Sequence, residues 1–431
     1  MVTEDAQRRV IENGAVAIQG DRIVDVGPRA EIDAKYRATN RMEQPDAILA
    51  PGLINTHTHA AMSLFRGGAD DLKLQDWLEK YIFPAEAKNV DREFVRWGTR
   101  LGLLEMALSG TTTFADMYYF EETVAEETKK AGMRGVLGQT VIGFPAPDYK
   151  TPEAALVGAE KFIRAYADDP LIVPAVAPHA IYTTPDETLQ AARTLADKYG
   201  KPLIIHLAET KAEFDESMQK RKKSPTKALS DLGVLQGWTL AAHSVWLDPA
   251  DFGLLRAAGT GISHCPSSNM KLASGVAPVL KMLQAGILIG LGTDGVAGSN
   301  NDVDMFEEMD LAAKLQKVTS GDPTALPAEQ AFAMATIMGA QALRMGDQIG
   351  SLDTGKRADI ISIRLDAPNA VPLYNVYSQL VYSLKASDVG DVMVNGRIIV
   401  RNRRMLTIDD RAVMAKAEEY RVQVAKSLSV K

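Results

Sequence analysis

The sequence predicts an α/β fold: a (β/α)8 TIM-like barrel with a small β-sandwich domain formed from both chain ends. Three observations carry this prediction. The chain has 431 residues, enough for one barrel of roughly 250 residues and an appended domain. Eight short apolar runs alternate with longer amphipathic stretches, and strand-turn-strand patterns occur near both ends of the chain.

Each predicted barrel strand is a short apolar or β-branched run that ends in polar residues and precedes a segment with helical spacing. Helix start signals support these units, as where Thr184 can cap a helix whose first position is Pro185. Eight such units favour a closed barrel, because an open sheet usually has fewer strands. The predicted strands are residues 48–59, 111–116, 135–142, 171–179, 202–209, 239–244, 260–265 and 287–294.

The chain ends predict β-structure outside the barrel. Residues 15–27 read as a hairpin around Gly20 and Asp21, and residues 391–400 as two strands around an Asn-Gly turn. We expect strands from both ends to pair in one small domain. The predicted domains are residues 1–49 and 349–431 for the small β-domain, with a final helix over 409–428, and residues 50–348 for the barrel.

Composition excludes several classes of function. The hydrophobic share of 46% and charged share of 24% are those of a soluble globular protein, and no apolar run reaches membrane-spanning length. A net charge of −7 disfavours nucleic acid as a partner. The single cysteine, Cys265, rules out an intrachain disulfide, and the polar N-terminus lacks the apolar core of a signal peptide. We therefore expect a cytoplasmic protein, and a homo-oligomer with the last helix as a candidate contact.

Histidine placement points to the active site. The chain has six histidines, and all lie at predicted strand ends, where barrels of this type build their sites. His57 and His59 are two apart on one strand, so both imidazoles face the same side. The other four are His179, His206, His243 and His264.

A metal site explains these placements best. We assign His57, His59, His206 and Asp294 as ligands, because three imidazoles and one carboxylate suit one divalent ion, zinc first and Fe²⁺ second. Such an ion acidifies a water toward a pKa of about 7. Glu209, three residues after His206, can then transfer protons without being a ligand. His264 and Cys265 are interpreted as buried structural residues.

Two groups of motifs carry a family resemblance. The first group is residues 51–59, His206-Leu-Ala-Glu209, His243-Ser244, and residues 292–301 and 349–361; the second is residues 59–67, 77–86, 177–182 and 267–278. The first group resembles the amidohydrolase superfamily, in its mononuclear deaminase branch. No lysine ends the fourth strand, where members with two metals place a carboxylated lysine, and this agrees with one metal. By the second group the chain is most similar to the 5′-methylthioadenosine/S-adenosylhomocysteine deaminases.

The resemblance implies hydrolytic deamination of an adenosine-type nucleoside to ammonia and an inosine product. It implies that Glu209 protonates the ring nitrogen, that His243 binds the attacking oxygen, and that Asp294 passes a proton to the departing ammonia. Glu86 would hold the ribose hydroxyls, since a carboxylate accepts two hydrogen bonds, and His179 would contact the substrate.

Two departures from the family pattern matter. Members that accept S-adenosylhomocysteine are expected to carry arginines after the third strand, which would clamp its carboxylate, but Gln139 stands there in this chain. An uncharged 5′ group, as in 5′-methylthioadenosine or adenosine, therefore fits better. Relatives are also expected to begin with a β-strand before residues 8–14 that this chain lacks.

Two alternative functions stay open at this point. One is a deaminase or chlorohydrolase of another heterocycle, such as guanine, a pterin or an s-triazine. The other is a non-catalytic scaffold on the same fold, because a fold does not fix a function. A complete ligand set beside a buried carboxylate argues against a scaffold.

Overall fold

The structure, a computed structural model, describes residues 1–428, and its strands form three sheets. In that part of the chain the fifteen strands are β1 (Gly14–Gln19), β2 (Arg22–Pro28), β3 (Ala47–Pro51), β4 (Leu53–Thr58), β5 (Thr111–Tyr118), β6 (Arg134–Val141), β7 (Ile172–Pro178), β8 (Leu203–Leu207), β9 (Thr239–His243), β10 (Gly261–His264), β11 (Ile289–Leu291), β12 (Ile360–Arg364), β13 (Val389–Val394), β14 (Arg397–Arg401) and β15 (Arg404–Met405).

The central sheet confirms the predicted barrel. Strands β4 to β11 lie in sequence order, and each is parallel to the next. Between the first and last of them, Asp294 N donates to His57 O at 2.9 Å, and Thr58 forms a parallel bridge with Asp294. Parallel strands aligned in this way bring all eight carboxyl ends to one mouth.

The first predicted strand, residues 48–59, is wrong as a single element. The structure divides it at Gly52 into β3, which belongs to a different sheet, and β4, which belongs to the barrel. A Cβ atom at Gly52 would lie 2.1 Å from Thr112 Oγ1, so only glycine fits where the chain passes between the sheets.

Strands from the two chain ends do pair, in two antiparallel sheets that flank the barrel. Strands β1 and β2 form the predicted hairpin. The five-stranded sheet has the order β15-β14-β13-β12-β3, and its β3–β12 pairing joins the N-terminal and C-terminal parts of the chain. Ile23 and Val26 of β2 lie in one hydrophobic cluster with Leu352, Ala358 and Ile360. The hairpin therefore packs against the C-terminal part of the chain.

Helices surround the barrel between its strands. The α-helices are α1 (Arg29–Lys35), α2 (Leu74–Asp76), α3 (Phe83–Asn89), α4 (Arg92–Leu108), α5 (Glu121–Ala131), α6 (Pro152–Ala165), α7 (Asp186–Tyr199), α8 (Lys211–Arg221), α9 (Pro225–Asp231), α10 (Pro249–Ala258), α11 (Pro266–Lys271), α12 (Val279–Gln284), α13 (Met305–Ser320), α14 (Ala328–Met334), α15 (Ile337–Ala342), α16 (Val376–Ser378) and α17 (Asp410–Leu428). Short 3₁₀ segments span Ala60–Phe65, Pro368–Ala370 and Ala386–Asp388, and π-helical segments span Trp77–Ile82 and Gln379–Ser383. Across residues 1–428, none of these helices combines the length and apolar character needed to span a bilayer.

The segment of residues 69–89, here called the wall segment, is fixed to the chain segments that follow β10 and β11. Trp77 Nε1 donates to Ala297 O at 2.8 Å. Lys271, at the end of α11, pairs with Asp70 and donates to Gly298 O at 2.9 Å. These bonds hold the wall segment beside the carboxyl ends of the strands.

We predict that Arg134→Met lowers the free energy of unfolding by about 3 kcal/mol, because the substitution leaves a buried carboxylate without its partner. Arg134 lies at the start of β6, and Asp359 lies just before β12. They form an ion pair with 3.2 Å between Nη2 and Oδ2, and their side chains are 2% and 3% exposed. Urea denaturation measures the effect. Lys416→Met, which removes an exposed pair with Glu419, should cost less than about 0.5 kcal/mol. An equal effect of both substitutions would contradict this account.

Candidate metal centre and active site

The strand ends bring the four candidate metal ligands together. His57 Nε2 and His59 Nε2 lie 3.3 and 3.2 Å from the same oxygen, Oδ1 of Asp294. The ring of His206 lies 5.0 Å from that of His57 and 5.4 Å from that of His59, centroid to centroid. Strands β4 and β8 and the end of β11 thus place three imidazoles and one carboxylate around one point.

Backbone carbonyl groups orient two of these imidazoles. His59 Nδ1 donates to Met117 O at 2.6 Å, and His206 Nδ1 donates to His179 O at 2.9 Å. A proton fixed on Nδ1 leaves Nε2 with a free lone pair, which is the form that binds a metal. The orientation therefore presents Nε2 of both rings as ligand atoms.

His57 provides an independent test of whether a metal fits. Its side chain is buried; among residues 1–428, Nδ1 has no hydrogen-bond partner, and Nε2 has Asp294 Oδ1 at 3.3 Å but no well-aligned hydrogen bond. Buried polar nitrogens without partners are costly unless another group, such as an ion, satisfies them. Ligand atoms of His57, His59 and Asp294 lie within 4.8 Å of one another, as do those of His57, His206 and His243. The donor set and its geometry fit a divalent cation.

The charge states also suit a cation. Burial lowers the pKa of His57 to about 4 and holds that of His206 well below its usual value, so both are neutral. Burial would also lower the pKa of His59, but the bond to Asp294 and nearby Asp116 outweigh it and raise the value to about 9. A divalent cation bound between these groups would supply the positive charge that the Asp294 carboxylate otherwise favours on His59.

A second pair of side chains lies beside this ring. His243, at the end of β9, has Nε2 3.8 Å from Oε2 of Glu209, and both side chains are buried. His243 Nδ1 lies 3.0 Å from Oδ1 of Asn269 on α11, which orients the ring. Burial raises the pKa of Glu209, which favours the proton-holding form that an acid catalyst needs.

Two supporting residues escaped the sequence analysis. Glu213 accepts hydrogen bonds from the backbone N–H groups of Ala208 (3.0 Å) and Glu209 (2.7 Å), and so fixes the turn that carries Glu209. The sequence holds a signal for this role, because Thr210 and Glu213 have the spacing of a capping box and Thr210 caps α8. Ser268 Oγ donates to Asp294 Oδ2 at 2.7 Å, a contact between distant positions that no local pattern indicates.

Two of the three candidate substrate-binding residues, Glu86 and His179, line the cavity above the ring, and the third, Glu209, lies on its wall as well. Tyr118 donates to Glu86 Oε1 at 2.7 Å, and burial raises the pKa of Glu86 to about 7. The ring of His179 lies 4.8 Å from that of His206, and its Nδ1 is 2.8 Å from Thr183 Oγ1. Other residues on the cavity wall are Leu74, Trp77, Leu78, Ile82, Phe83, Tyr182 and Leu272.

The structure places the remaining singled-out residues away from the cavity. His264 and Cys265 are buried, and neither lines the cavity. Gln139 Nε2 donates to Asp148 Oδ2 at 2.8 Å and to Thr140 O at 3.1 Å, so its amide is engaged inside the protein.

We predict that the protein, purified without chelators, contains about one divalent ion per chain and that His206→Ala removes most of it, because one of the four ligands is lost. Inductively coupled plasma mass spectrometry measures the content. His264→Asn is the matched control, since His264 is an equally buried strand-end histidine outside the ligand ring. Equal metal content in the two variants would contradict the ligand assignment.

Known proteins share the sequence pattern and the fold of this chain. A sequence profile of the amidohydrolase family matches residues 48–399, and a profile of the bacterial imidazolonepropionase-like composite domain matches residues 14–38. The crystal structure of an adenosine deaminase from Xanthomonas campestris with bound zinc superposes with a TM-score of 0.95 and 38% identity; the match covers 96% of this chain and 94% of that one.

Curated relatives are similar over nearly their whole length. The 5-methylthioadenosine/S-adenosylhomocysteine deaminase of Thermodesulfovibrio yellowstonii is 46% identical over 97% of this chain and 95% of its own. The 5-methylthioadenosine/S-adenosylhomocysteine deaminase 1 of Syntrophus aciditrophicus is 46% identical over 97% of this chain and 94% of its own. With the profile match over most of the chain, these similarities show that the protein belongs to the amidohydrolase family.

Proposed function

We propose that the protein is a metal-dependent hydrolytic deaminase of an adenosine-type nucleoside, such as 5′-methylthioadenosine, adenosine or S-adenosylhomocysteine. The observation that carries the proposal is the buried ring of His57, His59, His206 and Asp294, with Glu209 and His243 beside it at the base of a cavity whose wall holds Glu86. The names of the similar deaminases support the same activity.

The four ring residues hold one divalent metal in this proposal, with zinc as the first choice and iron as the second. Zinc is supported by the donor set and by the zinc bound in the similar Xanthomonas campestris deaminase. When bound, the ion supplies Lewis-acid activation, which makes a water nucleophilic near neutral pH.

Glu209 moves the first proton. Its carboxyl group takes a proton from the attacking water and delivers it to the ring nitrogen next to the amino-bearing carbon. Burial raises its pKa, which favours the protonated form that Glu209 adopts between these two transfers. Glu213, which holds the backbone of Glu209, is the positioning residue for this step.

His243 and Asp294 complete the reaction. His243 hydrogen-bonds the attacking oxygen through Nε2 and stabilises the charge that develops there. Asp294 passes the second proton of the water to the amino group. A carbon–oxygen bond has then formed, the carbon–nitrogen bond breaks, and ammonia leaves an inosine-type product.

Substrate recognition is assigned to Glu86 and His179, with Glu209 contacting the base. Glu86 lines the cavity and can accept hydrogen bonds from two ribose hydroxyls. A carboxylate in this position favours a riboside over a free base such as guanine or an s-triazine. Full burial of Glu209 beside His243 argues against a non-catalytic scaffold, which has no use for an uncompensated carboxylate.

The proposal also places the enzyme in the cytoplasm as a homo-oligomer that acts on a small molecule rather than on nucleic acid. The single cysteine and the net charge of −7 support the location and the choice of substrate.

Ammonia release from a substrate panel tests the function. Adenosine, 5′-methylthioadenosine, S-adenosylhomocysteine, adenine and guanine are supplied to the metal-loaded protein. We expect ammonia from at least one adenosine nucleoside and at most trace release from the two free bases. Absence of ammonia from all three nucleosides would reject the proposal.

We predict that Glu209→Gln keeps its metal and loses about 10²- to 10⁴-fold in kcat, because an amide cannot shuttle the proton. Metal analysis and steady-state kinetics on the same preparation measure both effects. Glu216→Gln, an exposed carboxylate on α8, the helix that follows Glu209, is the control and should keep wild-type kcat. Full activity of Glu209→Gln would exclude Glu209 as the proton carrier.

We predict that kcat/KM for the nucleoside falls as the pH drops through about 7, in part because Glu86, whose raised pKa is about 7, becomes protonated and loses an acceptor. Glu86→Gln should lower kcat/KM and remove this ionisation from the pH profile. Glu93→Gln, on the exposed face of α4, should retain it. An unchanged profile in Glu86→Gln would separate Glu86 from substrate binding.

A further inference from the structure

The short helix α11 lies between two groups that the proposed reaction uses, His243 and Asp294. It follows β10, whose neighbours in the barrel are β9, which ends at His243, and β11, which ends just before Asp294. Consecutive side chains of an α-helix point about 100° apart, so two neighbouring residues can contact two different groups. Ser268 Oγ donates to Asp294 Oδ2 at 2.7 Å, and Asn269 Oδ1 lies 3.0 Å from His243 Nδ1. One turn of helix therefore contacts both groups.

The position of α11 is set from behind by a buried carboxyl group. Glu308, on α13, is fully buried; its Oε2 accepts from Ser267 N at 3.2 Å, and its Oε1 accepts from Asn300 Nδ2 at 3.1 Å. The same amide of Asn300 donates to Thr293 O at 3.0 Å. Glu308 thus joins the first turn of α11 to the chain before and after Asp294, and this gives α11 a fixed position relative to that residue.

The backbone of His243 is bent so that its ring faces the other imidazoles. His243 and Ser244 both have a left-handed backbone, with φ of 71° and 49°, which costs free energy in residues that carry a side chain. Ser244 N donates to Leu207 O at 2.9 Å, which holds the bend against the end of β8. The ring of His243 lies 5.6 Å from that of His206, and its Nε2 lies 3.8 Å from Glu209 Oε2. Nε2 therefore faces the site, and Nδ1 faces α11.

Asn269 is the partner of His243 Nδ1 in the part of the chain that the structure describes. Asn269 is 1% exposed and its Nδ2 has no hydrogen-bond partner among residues 1–428, so its side chain makes only the bond to His243 there. An amide oxygen accepts hydrogen bonds and cannot donate one, so Nδ1 carries a proton whether the ring is neutral or charged. A neutral amide also adds no negative charge beside Glu209 and Asp294.

We propose that Asn269 is a positioning residue for the reaction: its amide oxygen keeps a proton on Nδ1 of His243 and so reserves Nε2 for the attacking oxygen. This inference rests on the proposed function. An active-site imidazole acts with its proton on one particular nitrogen, because the two tautomers present opposite hydrogen-bonding groups to the reaction. Glu308 serves the arrangement indirectly, through the position of α11.

Nuclear magnetic resonance tests the position of the proton. The zinc-loaded protein is labelled with nitrogen-15 in its histidine rings and studied at a pH of about 9, where an ordinary imidazole is neutral. The signals that disappear in His243→Asn are those of His243. We expect a protonated Nδ1 in the wild type and in Asn269→Asp, which keeps an acceptor oxygen, and an Nδ1 that is no longer fully protonated in Asn269→Leu, which has none. An unprotonated Nδ1 in the wild type, or the wild-type signal in Asn269→Leu, would overturn the proposal.

Steady-state kinetics test the consequence for the reaction. Asn269 does not line the cavity, so Asn269→Leu should keep KM within about 2-fold and lose about 10²-fold in kcat, the usual effect of one misplaced hydrogen-bonding group in a transition state. Asn269→Asp should recover about 10-fold of that loss, because it restores the acceptor but adds a buried negative charge. Met270→Ala, which truncates the next side chain of α11, 38% exposed, is the control and should keep wild-type kcat. Equal losses of kcat in the Leu and Asp variants would overturn the proposal.

Metal content separates this role from a loss of the metal centre. Both Asn269 variants should bind about one zinc ion per chain, because Asn269 is not among the proposed ligands. A loss of kcat that only follows a loss of zinc would contradict the proposed role. If Asn269→Leu does not fold, the spectra of the wild type and of Asn269→Asp still show which nitrogen holds the proton.

These outcomes are distinct from failure of the proposed function. If the wild type released ammonia from none of the three nucleosides in the substrate panel, the deaminase assignment itself would fail, and the ring spectra would still report the proton on His243. If the wild type released ammonia and both Asn269 variants kept its kcat and its spectrum, only the role of Asn269 would fail.

Discussion

The contact between the ends of the first and last barrel strands is the interaction on which the site depends. Asp294 N donates to His57 O, while the Asp294 carboxylate lies within 3.3 Å of Nε2 of both His57 and His59. The residue that closes the barrel is therefore also the candidate anionic ligand. Asp294 adopts a left-handed backbone with φ of 63°, a conformation that costs free energy and that the closed barrel and the Ser268 bond maintain.

Burial determines how the clustered side chains of His57, His59, His206 and Asp294 carry charge. The ring contains one carboxylate and three imidazoles in an environment that disfavours charge, and Nδ1 of His57 has no hydrogen-bond partner within residues 1–428. A divalent cation would balance the carboxylate and satisfy the nitrogens. The same burial raises the pKa of Glu209, so one physical cause acts on both the candidate metal ligands and the proposed proton carrier.

The barrel and the ligand ring could be predicted from the sequence because both follow from local patterns. Alternating apolar runs gave the strands, and parallel strands aligned in one barrel bring distant strand-end residues such as His57, His206 and Asp294 to one mouth. Contacts that depend on three-dimensional packing could not be predicted. The first predicted strand divides at Gly52 because a side chain there would clash with Thr112. The ion pair between Lys271 and Asp70 joins residues that are 201 positions apart. Glu213 is an intermediate case. The sequence shows its capping-box spacing from Thr210, but it does not show that the Glu213 side chain accepts a hydrogen bond from the backbone of Glu209.

Metal titration of the metal-free protein is the measurement that tests the central claim most directly. Zinc is added stepwise to the apoprotein, and ammonia release from an adenosine nucleoside is measured at each step. The account predicts that activity is absent without metal, rises in proportion to bound zinc and reaches its maximum at about one ion per chain. Full activity in the metal-free protein would contradict it.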